Sequence, residues 1–173
     1  MKKIIKIPLV IIAIIALIFL ATGFIVKETS YEVSTTIDRP LEEVFTAFND
    51  HTKLKEWIPT VKSFEPIEEK KGKVGSTYKM IVDENGKNFE MIETVTAFEV
   101  NKKVGLEFDA QGMLKTDEIT FTSDGGKTTI TTRSICKGTN YLLKCTFPYF
   151  KSIFKSTDQE YLNNFKKHIE KTK

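Results

Sequence analysis

Residues 37–59 read IDRPLEEVFTAFNDHTKLKEWIP, and this stretch predicts two short helices that set the fold class. Its first apolar residues recur at the spacing of one helix face: Leu41, Val44, Phe45 and Phe48. Pro40 suits the first helical position, because its ring presets φ and the missing N–H has no partner there. Asn49 and Asp50 end this helix and can cap a second one, which carries Trp57 and stops before Pro59.

The sequence on either side of this stretch changes to the alternation that is typical of strands. TSYEVSTTID, directly upstream, is rich in β-branched residues and predicts one strand. Downstream, the region from about Val61 to Lys137 predicts about six more strands in an antiparallel meander. Its turn signals are Lys71-Gly72, Asn85-Gly86, Asn101-Lys102-Lys103, Gln111-Gly112 and Asp124-Gly125-Gly126. Among these, Asn85-Gly86 is the pair preferred in a type I′ hairpin.

Helical spacing returns in the last stretch of the chain. We expect one long helix there, with Pro148 near its start. Its apolar stripe consists of Phe150, Phe154, Tyr161, Leu162, Phe165 and Ile169. The predicted order is therefore one strand, two short helices, about six strands and one long helix.

The N-terminus carries an uncharged aliphatic run that includes Ile7, Leu17 and Val26 and is about as long as a bilayer-spanning helix. Lys2, Lys3 and Lys6 precede it, which favours an N-terminus in the cytoplasm and a domain outside the cytoplasmic membrane. We therefore divide the chain into a transmembrane anchor, residues 1–27, and a domain, residues 28–173. The alternative is a signal peptide cleaved after the small-residue pattern that ends at Gly23, which would give a secreted domain.

Charge and residue types exclude several classes of function. Without the three lysines that precede the apolar run, the formal net charge of +3 falls to zero, so nucleic-acid binding has no electrostatic basis. No histidine spacing suggests a metal, and no glycine-rich loop suggests a phosphate cofactor, so we expect neither. The two cysteines, Cys136 and Cys145, favour buried free thiols, although an exported domain could pair them.

Four quoted motifs resemble the START-like superfamily, also called SRPBCC, which contains the polyketide cyclase/dehydrase and lipid-transport proteins. They are IDRPLEEVFTAFND, LKEWIPTVKSFE, KVGSTYKM and ETVTAFEVNKKVGLEF, in that order. In the last motif, Asn101 and Lys102 stand where the family usually has a proline. The resemblance covers roughly residues 30 to 170.

The resemblance implies an α+β helix-grip fold, in which a curved antiparallel sheet of about seven strands surrounds the long C-terminal helix. It also implies an elongated, mostly apolar cavity between sheet and helix, and hence a hydrophobic or lipid-like ligand. It does not supply a catalytic set, because the superfamily contains carriers, cyclases and other proteins.

Strand parity suggests which side chains line this space. Ile130 shares one face of its strand with Thr132, Ser134 and Cys136, and small side chains opposite the long helix leave room for a ligand. Alternatively, aromatic side chains of the helix fill the gap. The candidate cavity residues are Phe45, Trp57, Met80, Phe108, Phe121, Thr132, Ser134, Phe150 and Phe154. We expect Trp57 to be chiefly structural and to touch the ligand space only with its edge.

The remaining polar residues show no catalytic constellation. By parity Arg133 points to solvent, unless a bulge turns it inward as an anchor for an acidic head group. His51 is expected at the surface or at a helix cap rather than as a general base. We expect the acidic strand residues to form a solvated outer face: Glu90, Glu93, Glu107, Asp117 and Glu118.

The sequence thus favours a membrane-tethered module that binds an apolar small molecule. A cyclase or dehydratase that uses the same cavity, and a protein-interaction module without a ligand, are the alternatives. The oligomeric state is left open by the sequence.

Overall fold

A computed structural model describes residues 2–84 and 86–171, with side chains from residue 7 onward. The chain forms helices α1 (Lys2–Ile25), α2 (Leu41–Phe48), α3 (Leu54–Trp57) and α4 (Tyr141–Lys171). The strands are β1 (Thr29–Ile37), β2 (Val61–Glu68), β3 (Thr77–Glu84), β4 (Lys87–Glu99), β5 (Lys103–Ala110), β6 (Met113–Asp124) and β7 (Lys127–Gly138). The predicted Asn85-Gly86 turn lies outside the described residues, because Asn85 does.

The strands form one antiparallel sheet in the order β1-β7-β6-β5-β4-β3-β2. β1 and β2 are therefore the two edges, and α2 and α3 carry the chain from one edge to the other. Helix α4 packs mainly against β1 and β7. The predicted α+β helix-grip class, with seven strands, two short helices after the first strand and a long C-terminal helix, is confirmed.

The residues that precede α2 and α3 explain where these short helices begin. The Asp50 carboxylate accepts hydrogen bonds from the backbone N–H and the hydroxyl of Thr52, so it caps the turn His51–Lys53 that leads into α3. Pro40 is the residue before α2 rather than its first helical residue, since its ψ of 149° is extended.

The predicted start of α4 at Pro148 is wrong, because the helix begins at Tyr141 and Pro148 lies inside it. The side chain of Asn140 accepts a hydrogen bond from the Leu143 N–H at 3.0 Å, which caps the helix earlier in the chain. Pro148 lacks the N–H that would bond to the carbonyl one turn earlier, and the helix continues past it to Lys171.

A cluster of aromatic rings closes the interior at the end of the sheet that α2 and α3 cover. The Trp57 ring centroid lies 5.4 Å from that of Phe48 and 5.2 Å from that of Phe165 on α4. Phe45 in turn packs edge-on against Phe121 at 5.0 Å. This end of the molecule is therefore filled by side chains.

Helix α1 packs along the first turns of α4. The Tyr141 hydroxyl donates to the Leu20 carbonyl oxygen at 2.6 Å, and the hydroxyls of Thr22 and Tyr149 lie 2.8 Å apart. The rest of α1 is exposed, and Ile7–Ile25 has a mean hydropathy of 2.8. Its length and composition fit a membrane anchor and fit a signal sequence equally well.

Candidate ligand-binding site

The inner face of the sheet carries a buried charged cluster that centres on Lys115. Lys115 and Asp117 share this face of β6 with Ile119 and Phe121, because side chains alternate along a strand. The Lys115 Nζ lies 2.8 Å from Asp117 Oδ2 and 2.8 Å from Asp158 Oδ2, which α4 brings to the sheet. Lys115 is thus paired with two carboxylates at once.

Three donors converge on a single oxygen of Asp158. Besides Lys115, the Tyr31 hydroxyl donates to Asp158 Oδ2 at 2.8 Å, and the Ser134 hydroxyl donates to it at 3.3 Å. The Cys136 Sγ lies 3.9 Å from the Tyr31 hydroxyl. These bonds fasten α4 to β1 and β7 through polar contacts inside an otherwise apolar interior.

The surroundings of this cluster set the protonation states of its members. Burial opposes the charge of Lys115, but the carboxylates of Asp117 and Asp158 outweigh it and hold the pKa of Lys115 well above its usual value. Burial raises the pKa of Tyr31, and it raises that of the Cys136 thiol to about 11. Lys115 is therefore a cation and Cys136 a neutral thiol at neutral pH.

Glu93 on β4 is the exception in this interior, because it is 5% exposed and makes no hydrogen bond or ion pair to any described residue. Burial, followed by the charge of Asp117, raises the pKa of Glu93 to about 8. The second carboxylate oxygen of Asp117, Oδ1, is also buried without a hydrogen-bond partner among the described residues.

The prediction that Glu93 and Asp117 belong to a solvated outer face is wrong. Glu93 has the parity of Val95, and Asp117 that of Ile119, so both point inward. The alternation along β4 and β6 is the sequence signal for this inward direction, whereas the acidic residue type favours the outer face. Glu90 and Glu118 do lie on the outer face, where they pair with Lys79 and Lys103.

A partly exposed apolar face of the sheet lies beside these carboxylates. Several inner-face residues of β4, β5 and β6 are only half-buried: Phe89, Met91, Leu106, Phe108 and Met113. The reason is that α4 covers mainly β1 and β7. From α4, Phe147 and Phe154 are half-buried against the same core, and Phe154 lies one turn before Asp158. We call these seven residues, with Glu93 and Asp117, the inner groove.

The predicted cavity residues divide into three groups. Phe45, Trp57, Met80 and Phe121 are buried in the core, three of them in the aromatic cluster. Phe108, Thr132, Ser134 and Phe154 face the interior near the charged cluster, and the Lys115 Nζ lies 5.6 Å from the Phe108 ring centroid. Phe150 is 43% exposed on α4. Whether any of them contacts a ligand stays a prediction.

Two other sequence expectations have a clear outcome. Arg133 points to solvent as parity predicted and pairs with Glu32, so an inward anchoring role for Arg133 is wrong. His51 is not a simple surface or capping residue, because its ring packs against Phe64 at 4.6 Å and Tyr78 at 4.8 Å. Burial, and then the charge of Lys73, lower the pKa of His51.

Cys136 and Cys145 are both buried free thiols. No group of three or more His, Cys, Asp or Glu side chains among the described residues is arranged to hold a metal ion. Two further surface depressions, one on α2 and one beside Lys137, are not lined by any residue of the inner groove.

A seven-stranded antiparallel sheet closed by a long C-terminal helix, with a few polar groups in an apolar interior, defines a START-like helix-grip protein. The chain belongs to the family described as polyketide cyclase / dehydrase and lipid transport, whose profile matches residues 28–170. This confirms the superfamily that the sequence motifs resemble. No curated protein sequence matches the chain.

Solved structures share the fold at low sequence identity. The Zhui aromatase/cyclase from Streptomyces sp. R1128 is 12% identical, with a TM-score of 0.70 over 83% of this chain and 94% of that one. A START superfamily protein from Mycobacterium smegmatis is 11% identical, with a TM-score of 0.70 over 83% and 99%. A third structure, TTHA0849 from Thermus thermophilus, is 13% identical, with a TM-score of 0.68 over 81% and 96%. Family and fold together indicate a hydrophobic ligand-binding or cyclase/dehydrase-like module.

Proposed function

We propose that this protein is a membrane-tethered module that binds an apolar, lipid-like small molecule in the inner groove. The observation that carries the proposal is the partly exposed apolar face of β4, β5 and β6, which a folded domain would ordinarily cover. A ligand that covers it gains roughly 25 cal/mol per Å² of apolar surface removed from water.

The contact between α1 and α4 supports the tethered arrangement. If α1 crosses the cytoplasmic membrane with its N-terminus inside, then Leu20 and Thr22 lie in the last turns of the span, next to the outer surface. Their partners on α4, Tyr141 and Tyr149, are then held at the membrane surface. The same part of α4 exposes further large apolar side chains: Leu142, Phe150 and Ile153. The inner groove, which α4 borders through Phe154, thereby lies close to a source of lipid.

The test is binding of a small apolar probe to the full chain in lipid nanodiscs. We expect octan-1-ol to give a calorimetric binding signal beyond that of empty nanodiscs. Phe108→Ser should weaken this binding at least fivefold, because Phe108 lies in the groove. Val100→Ser makes the same kind of change at an exposed site outside the groove and should leave binding unchanged. No binding by the wild-type chain, or equal effects of the two variants, would exclude the proposal.

Proton-transfer catalysis is the second candidate function, and Glu93 is the observation that favours it. A buried carboxylic acid with a pKa of about 8 is protonated at neutral pH and can act as a general acid in a cyclisation or dehydration. On this hypothesis, Glu93→Gln abolishes turnover of a poly-β-keto thioester but leaves octan-1-ol binding intact. Undiminished turnover by this variant would exclude Glu93 as the acid.

A further inference from the structure

We infer that the inner groove selects an amphiphile whose polar end is a protonated amine, held between the carboxylates of Glu93 and Asp117. This inference rests on the proposed binding function and adds the chemical class of the ligand. It is carried by two buried carboxylates that have unused acceptors, and by the net negative charge around them.

The unused acceptors are the first observation. Asp117 is 6% exposed, and its Oδ1 has no hydrogen-bond partner among the described residues. Glu93 is equally buried and has no hydrogen bond or ion pair there either. A buried acceptor without a partner costs free energy, so Asp117 Oδ1 gains from a ligand that donates a hydrogen bond, and Glu93 offers a further acceptor on the same face. A carboxylate ligand would offer Asp117 only more acceptors.

The charge balance is the second observation. Lys115 is the one cation in contact with this cluster among the described residues, and its Nζ is already 2.8 Å from both Asp117 and Asp158. One positive charge against these two carboxylates leaves the cluster negative. Glu93 is protonated at neutral pH while the groove is empty, and an ammonium group beside it favours its ionised form. The buried position strengthens the resulting field, because protein screens charges less than water does. The groove therefore attracts a cation and repels a fatty acid or an anionic lipid head group.

The strand register places the two carboxylates on either side of the apolar floor of the groove. Glu93 is the register partner of Phe108, while Asp117 is the partner of Leu106, so β5 lies between them. Two strand spacings and the two-residue offset along β5 put their backbones about 12 Å apart, and both side chains point to the same face. The charge of Asp117 also acts on Glu93. An ammonium group, with three donors, can bond to both carboxylates while its alkyl chain covers Phe108.

The test compares three ligands that have the same chain length and different polar ends: octylamine, octan-1-ol and octanoic acid. Their affinities are measured by isothermal titration calorimetry at pH 7 on the full chain in nanodiscs, with the heats of empty nanodiscs subtracted. We expect octylamine to bind at least tenfold more tightly than octanoic acid. Glu93→Gln and Asp117→Asn should each reduce that ratio by fivefold or more. Both variants keep the shape of the side chain.

The matched control is Glu90→Gln on the same strand, where the side chain points outward and pairs with Lys79. It should leave the amine-to-acid ratio unchanged. If octan-1-ol binds but octylamine shows no preference over octanoic acid, the inference is wrong and the proposed function stands. A ratio that Glu93→Gln and Asp117→Asn leave unchanged also overturns the inference. If none of the three ligands binds, the proposed function and the inference both fail.

Discussion

Glu93 illustrates how the position of one residue changes its chemistry. Its sequence neighbours are the apolar Ile92 and the polar Thr94, and an acidic side chain suggests a solvated position on the strand. The sheet instead places it among Tyr78, Phe108 and Asp117, where it is only 5% exposed. Because burial disfavours the charged form, the side chain keeps its proton to a higher pH than it would in water.

This protonation makes stability depend on pH in a predictable direction. The pKa of Glu93 rises from 4.5 to about 8 on folding, so the folded state holds more protons than the unfolded state between these values. Its contribution to the free energy of unfolding is complete below pH 4.5 and falls by about 1.4 kcal/mol per pH unit as the pH rises toward 8.

Urea unfolding between pH 5 and pH 8 gives the free energy of unfolding of the wild type and of Glu93→Gln. The change with pH in the difference between these two free energies is the slope due to Glu93. Asp117, Tyr78 and Lys115 face Glu93 in both proteins, so their own titration largely cancels. The wild type should lose stability relative to the variant as the pH rises. A difference that does not change with pH would show that Glu93 titrates normally.

Trp57 is the second residue with a testable role. It is 5% exposed and packs against Phe48 and Phe165, so Trp57→Ala should lower the free energy of unfolding by about 3 kcal/mol or more. The Trp57 Nε1 has no acceptor among the described residues, so Trp57→Phe loses no hydrogen bond and should cost clearly less. Chemical denaturation measures both. Unchanged stability of Trp57→Ala together with lost octan-1-ol binding would assign Trp57 to the ligand instead.

At the scale of elements, the contact between α1 and α4 depends on one close approach. A Cβ atom built on Gly23 would lie 2.6 Å from the Cys145 Sγ, which is well inside van der Waals contact. Gly23→Val should therefore separate the two helices there and expose Cys145. We expect Cys145 to react with a thiol reagent at least fivefold faster in this variant.

Ala21→Val is the matched control, because Ala21 is exposed on α1. Cys136 lies elsewhere, in the charged cluster, and serves as an internal reference whose reactivity should stay the same in both variants. Equal Cys145 labelling of the wild type and Gly23→Val would show that the helices do not pack in this way in the membrane.

For the whole molecule, the proposed membrane tether predicts which surface contacts the lipid. In the full chain in nanodiscs, a spin label at Ile153 should be more accessible to oxygen, which dissolves in lipid, than to a water-soluble nickel complex. A label at Val74, which is 49% exposed in the loop between β2 and β3, should show the opposite preference. If both labels show the same preference between oxygen and the nickel complex, the docking of α4 at the membrane surface is contradicted.

The order of elements was predictable because it depends on local signals. Period-two alternation, turn pairs such as Gln111-Gly112 and the apolar face from Leu41 to Phe48 act within a few residues. The start of α4 is less predictable, because a proline such as Pro148 is a stronger sequence signal for a helix start than Asn140, whose capping hydrogen bond is visible only in the structure.

The sequence by itself determined the apolar N-terminal run, the seven strands and the helix that closes the sheet. Only the tertiary structure decided where the candidate site lies, because Tyr31, Lys115 and Asp158 are far apart in the chain and meet only through the register of β1, β7 and β6 and the packing of α4. The inward direction of Glu93 and Asp117 depends on the same long-range pairing. The alternation along a strand indicates which residues share a face. The fold determines which face is buried and which charged side chains of neighbouring elements lie next to it.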